Sequence, residues 1–113
     1  MTVEEKRAKY ADLANSLRPL FSPFHYVDDE YSFANDTPSD NSDNVTCEVI
    51  IKAIGSKKIW GLYDSRDLYS ESERSNSWVA YQMIDDESYI IVRSPDYQVV
   101  VDFLVDYLMP NKS

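Results

Sequence analysis

Val45, Cys47, Val49 and Ile51 are spaced by two, and after Gly55-Ser56 the same spacing resumes at Trp60 and Leu62. Side chains alternate across a strand with period two, so this pattern describes two strands sharing one buried face. Glycine in the first position of a two-residue turn suits a type II′ hairpin. That turn pairs Ala53 with Lys58, Ile51 with Trp60 and Val49 with Leu62. The opposite face, with Thr46, Glu48, Ile50, Lys52, Ile59 and Tyr63, is mixed. A hairpin pinned this way commits the chain to an antiparallel sheet with an apolar cover on one side.

Both chain ends supply a cover. Residues 2–18 read as a helix: Thr2 and Glu5 form a capping box, and Val3, Tyr10, Leu13, Ala14 and Leu17 recur at helical spacing. Lys6, Arg7, Lys9 and Asp12 lie largely off that stripe, and Pro19 ends the helix. Near the other end, Ser94-Pro95-Asp96 offers a cap, a proline for the first helical position and an acid in the first turn. A helix over Pro95–Leu108 follows, with Val100, Phe103, Leu104, Tyr107 and Leu108 as its apolar stripe. Trp78–Ile84 and Tyr89–Arg93 read as a second hairpin joined by Asp85-Asp86-Glu87-Ser88. The segment from Leu20 to Phe33 interleaves aromatics with prolines and acids and predicts a docked segment with a short strand near Tyr31–Phe33. Residues 34–44 predict a mobile acidic loop, and Ser65–Asn76 a polar loop with a helical turn. The expected fold class is therefore α+β: one domain over 1–113, with an antiparallel sheet of four or five strands and both terminal helices packed on one face.

Composition bounds the chemistry. The 113 residues carry 20 Asp and Glu against 11 Lys and Arg, a net charge of −9 with His25 neutral. That balance argues against direct nucleic-acid binding, since phosphate contacts need cations. One cysteine excludes an internal disulfide framework and a multi-cysteine zinc site, and two glycines leave no room for a glycine-rich phosphate loop. The charged N-terminus has no apolar stretch behind it, and no run is long enough to span a bilayer. With lone Cys47 as a core filler, this points to the cytoplasm. A Cys47–His25 nucleophile pair would sit in acidic, apolar surroundings that disfavour a thiolate. Asp36, Asp40, Asp43 and Asn44 do not follow the calcium-loop spacing. The reading is non-enzymatic, with no metal and no cofactor.

The acids are uneven. Between Arg18 and Lys52 there is no Lys or Arg, while Asp28, Asp29, Glu30, Asp36, Asp40 and Asp43 fall within 28–43. Asp64, Asp67, Glu71 and Glu73 form a second group, and Asp85, Asp86 and Glu87 a third. Carboxylates spaced along a sheet edge and helix imitate a phosphate track and suit the basic groove of a nucleic-acid-binding protein, with steering by long-range attraction. The expectation is an acidic inhibitor or decoy of the mobile-element or phage anti-defence type. Those acids would pair with Lys and Arg of a basic partner, a nucleic-acid-binding protein or nuclease, and Tyr31 and Tyr69 would act as anchors. The decoy would be a monomer or a homodimer.

A second expectation comes from Trp78–Leu108. This strand pair followed by an amphipathic helix is loosely similar to the type III secretion chaperones. The resemblance implies a small acidic cytosolic protein, often dimeric, that holds extended segments of a secreted client. It places the family's middle helix at Ser65–Asn76, which is poorly apolar.

Overall fold

The computed structural model describes residues 1–68 and 74–109. The 45–64 hairpin forms in the expected register: β2 (Val45–Ala53) runs antiparallel to β3 (Ile59–Asp64), with Val49 opposite Leu62 and Ile51 opposite Trp60. The turn differs. A four-residue loop, Ile54–Lys57, is closed by the Ala53 amide donating to the Lys58 carbonyl at 3.1 Å, with Gly55 at φ +79°. The cause is competition for one donor: the Ile54 amide bonds the Phe24 carbonyl at 3.0 Å and is withdrawn from a tighter turn.

The aromatic segment is a full strand, β1 (His25–Phe33), paired antiparallel with β2 along nine residues. The expected short strand near Tyr31–Phe33 is its C-terminal end. The run Asp28-Asp29-Glu30 conceals it, because acids are depleted in strands on average, yet an edge strand tolerates them and is protected by them. β4 (Trp78–Ile84) and β5 (Glu87–Ser94) form the second hairpin. Its loop is only Asp85-Asp86, at φ 52° and 65°, since short polar side chains tolerate the left-handed region. The result is one antiparallel sheet in the order β1-β2-β3-β4-β5, the larger of the two sizes expected.

Both helices lie on one face. α1 (Val3–Phe21) begins on the capping box, with Glu5 N–H donating to the Thr2 hydroxyl at 3.0 Å and Thr2 N–H donating to Glu5 at 2.9 Å. It does not stop before Pro19. The proline sits inside the last turn, and the helix continues to Phe21, which is fully buried. One lost amide bond is offset by burying that ring. Lys6 also departs from the helical wheel. It is buried, and its ammonium donates to the carbonyls of Ser42 and Val45 at 2.9 and 2.6 Å, closing the end of the 34–44 loop. That loop contains two short 3-10 turns, Ala34–Asp36 and Ser42–Asn44.

α2 (Tyr97–Leu108) starts two residues later than expected. Asp96 is the cap, accepting from Gln98 N–H at 3.0 Å, while Ser94 accepts from the Asp96 amide. Its buried side chains are Val100, Val101, Leu104 and Leu108; Phe103 and Tyr107 are on the flank and exposed. α1 lies over β1 and β2, and α2 over β4 and β5. Between helices and sheet the core gathers Tyr10, Ala14, Leu17, Phe21, Val27, Val45, Cys47, Val49, Ile51, Trp60, Leu62, Ala80, Val100 and Leu104. Of the loop expected to hold a helical turn, Ser65–Asp67 is a 3-10 turn, while residues 69–73 lie outside the described residues. No helix among the described residues is long and apolar enough to cross a membrane.

Candidate functional site

Among the described residues, the helices cover one face of the sheet and leave the other open. Strand alternation assigns the open face: Tyr26, Asp28 and Glu30 from β1; Thr46, Glu48, Ile50 and Lys52 from β2; Gly61 and Tyr63 from β3; Tyr81 and Met83 from β4; Ser88, Ile90 and Arg93 from β5. Across β2 to β5 this face forms a groove of about 520 Å³ lined by Thr46, Glu48, Tyr63, Leu68, Tyr81, Met83, Ser88, Ile90 and Arg93. A smaller hollow of about 410 Å³ lies between Arg18, Tyr26, Asp28, Glu30, Ile50 and Lys52.

Glu48 is the chemical centre of the groove. Tyr81 lies flat across β3, on a place that only glycine allows, since a Cβ on Gly61 would fall inside the Tyr81 ring. From there the Tyr81 hydroxyl donates to Glu48 at 2.7 Å. Burial pushes the Glu48 carboxyl up from its ordinary value, the Tyr81 hydrogen bond works against that, and Glu30 adds to it. Burial, then the Glu48 charge, drives the Tyr81 phenol upward too, so it stays protonated at neutral pH. Glu30 and Glu48 stand directly opposite on paired strands, an arrangement that costs stability when both are charged. None of the ion pairs among the described residues reaches either of them. Next to them the Thr46 hydroxyl is buried with no hydrogen-bond partner among the described residues. The arrangement accepts hydrogen bonds and favours a cation between the two carboxylates.

The acids expected to form one partner surface are placed as follows. Asp28 and Glu30 project from the open face of the β1 edge, and Asp29 turns to the helix side. Tyr31 is on that side too, with the Arg7 guanidinium 3.8 Å from its ring centroid. Asp36, Asp40 and Asp43 are exposed at the Phe33 end of the sheet, with Asp43 3.4 Å from Arg74. Asp85, Asp86 and Glu87 are exposed at the opposite end, beside the turn carrying Lys57 and Lys58. Tyr69, Glu71 and Glu73 lie outside the described residues.

Asp64 and Asp67 need correction as surface acids. Asp64 is fully buried, bound by Arg66 at 2.9 and 2.7 Å and by Lys9 at 3.1 Å. Burial pushes its carboxyl up, but those hydrogen bonds outweigh it and leave it below the ordinary value. Asp67 accepts from Lys9 at 2.7 Å and from the Tyr10 hydroxyl at 2.9 Å. That same hydroxyl accepts the Asp64 amide at 2.9 Å. The cluster locks α1 to the end of β3, and its charges are matched within the chain. The described acids of the three groups are therefore not assembled into one track.

Cys47 and His25 are both buried but far apart: they pair with Tyr31 and Ala53 respectively, six residues along β2, about 20 Å at the usual rise. Burial raises the Cys47 thiol above its ordinary value. His25 is wedged edge-on between the Phe21 and Trp60 rings, with Nδ1 3.3 Å from the Phe21 carbonyl. Neither is arranged for nucleophilic work. Glu48 and Tyr81 were not paired by sequence reasoning. The available signal was the mixed face of β2 and β3, where a glutamate and a tyrosine interrupt an otherwise β-prone pattern.

Comparison of the chain with protein-family models, curated proteins and solved structures found no match.

Proposed function

We propose that this chain is a non-enzymatic protein-binding module whose open sheet face holds an extended segment of a partner protein bearing basic and apolar side chains. The observation that carries the reading is the groove itself: a sheet face that no helix of the described residues covers, with tyrosine, methionine and isoleucine walls, and two opposed carboxylates, Glu30 and Glu48, that no base of the described residues neutralises. A lysine or arginine entering between them removes a like-charge cost already present, and the aromatic walls supply rigid contact area. Tyr81 supports binding over catalysis, because a phenol pushed upward by burial is a poor proton donor near neutrality. The decoy form of this reading has its footing in the acids at 28–43, which follow the β1 edge into the 34–44 loop. The groove is preferred because it adds apolar contact to charge.

The test is fluorescence anisotropy with extended peptides that alternate Lys or Arg with Leu, Val or Tyr. Saturable binding is expected, weakened at least tenfold, about 1.4 kcal/mol, by Glu30→Gln with Glu48→Gln and by Tyr63→Ala. It should retain a salt-resistant part from the apolar walls. Absence of binding, or binding indifferent to these changes, contradicts the reading. Affinity lost entirely with salt and sensitive only to Asp36, Asp40 and Asp43 transfers support to the decoy form.

A further inference from the structure

The two edges of the sheet are treated differently. On β1 the outward Val27 carbonyl is occupied by Arg18, whose Nη2 and Nε donate at 2.9 and 3.2 Å, and the strand carries three consecutive acids. Both are devices that discourage pairing with another chain. β5 carries Tyr89-Ile90-Ile91-Val92 at its centre, with Tyr89 and Ile90 about half exposed. A bulge at Ala80/Tyr81 confines regular pairing on β5 to a short stretch, so β5 alone offers little area.

The flank of α2 supplies more. At about 100° per residue, Val99, Phe103 and Tyr107 fall on the side of α2 away from α1. All three are exposed, and the last two rings are stacked at 5.6 Å. Leu20 of α1 instead lines a hollow with Val101 and Val105 on the opposite flank. Tyr107 reaches Gln82, which pairs with Tyr89, so the apolar flank runs continuously from the helix to the edge strand.

We infer that a second copy of this chain docks on this surface, with β5 pairing antiparallel to β5 across a two-fold axis near Ile90 and α2 packing against α2. The spacing favours a copy over another partner. Strands pair about 4.8 Å apart, and α2 lies over both β4 and β5, so the two-fold sets the α2 axes about 10 Å apart, the ordinary distance for packed helices. Val99, Phe103 and Tyr107 then meet their equivalents, while Asp102, on the solvent side of α2, is not forced against its mate. Antiparallel pairing also brings the Asp85-Asp86 turn of one copy toward the Arg93 end of the other, matching charge in an acidic chain. Such a dimer joins two open faces into one ten-stranded surface. The inference does not rest on the binding reading above.

Sedimentation equilibrium on the full chain tests it, with Ile90→Lys and Val99→Glu as variants at exposed positions and circular dichroism confirming their fold. The expected result is twice the 13.1 kDa chain mass, with the dissociation constant raised at least tenfold in each folded variant. In addition, Ile90→Cys should form an intermolecular disulfide on oxidation, and Tyr26→Cys, on the guarded edge, should not. A single-chain mass at every concentration overturns the inference. So does a dimer unaffected by both substitutions, or cross-linking through Tyr26→Cys as readily as through Ile90→Cys.

Discussion

The Glu48 carboxyl sits above its ordinary value in the folded chain. Burial raises its carboxyl, and Glu30 opposite adds to the effect. The folded-state value lies above the unfolded one, so ionisation of Glu48 opposes folding once pH exceeds the folded value, and that penalty disappears as pH falls below the unfolded value. Glu48→Gln keeps an acceptor for Tyr81 and removes the charge. Thermal melts should show it more stable than the parent at pH 7, by an amount of order 1 kcal/mol or less, with the two converging near pH 4. A variant less stable at pH 7 would contradict the placement of Glu48. Asp64 has the opposite sign. Its carboxyl is held low by Arg66 and Lys9, so its contribution is present above the unfolded value and lost as pH falls through the folded one. Tyr10→Phe removes the hydroxyl that serves both Asp67 and the Asp64 amide. Chemical denaturation should register a loss of about 1–3 kcal/mol from the buried groups left unpaired.

At the level of elements, legibility followed the length and regularity of the pattern. Six apolar positions at period two fixed the β2–β3 register even though the turn between them was of another kind. A slip of β3 by one residue would have turned Trp60 and Leu62 away from the core. The Thr2–Glu5 capping box was legible because it is local; Thr2→Ala should lower the melting temperature, consistent with about 1 kcal/mol for a lost cap. What escaped the sequence was tertiary. Pro19 is tolerated because Phe21 must reach the core, and Lys6 is buried because two carbonyls wait for it at the end of the 34–44 loop. β1 escaped because its acids belong to an edge. In α2, Phe103 and Tyr107 fit a helical stripe, but the sheet beneath takes Val100 and Leu104 and leaves those rings on the flank. The candidate site was half legible: Glu48 and Tyr63 stood on the mixed face, whereas the Tyr81–Glu48 contact depends on Gly61, a residue with no pattern of its own. Gly61→Ala should push the Tyr81 ring off β3, break its bond to Glu48 and cost about 1–3 kcal/mol, visible as a change in tyrosine near-ultraviolet circular dichroism.

On the scale of the whole molecule, the net charge is −9, and the described acids are spread rather than gathered. Asp64 and Asp67 are matched internally, Asp85, Asp86 and Glu87 sit at one end of the sheet near Lys57 and Lys58, and Asp36, Asp40 and Asp43 sit at the other. The sheet has one dry face under two helices and one open face with a groove, and the central claim is that this open face is where a partner segment lies. Amide chemical-shift mapping of the isotope-labelled chain, titrated with an extended basic-apolar peptide, tests it most directly. Saturable shifts are expected at Thr46, Glu48, Tyr63, Tyr81 and Arg93, with α1 left still, and their loss in the doubly substituted Glu30→Gln, Glu48→Gln chain. Shifts gathered instead on the 34–44 loop, or none at any residue of the open face, would contradict it.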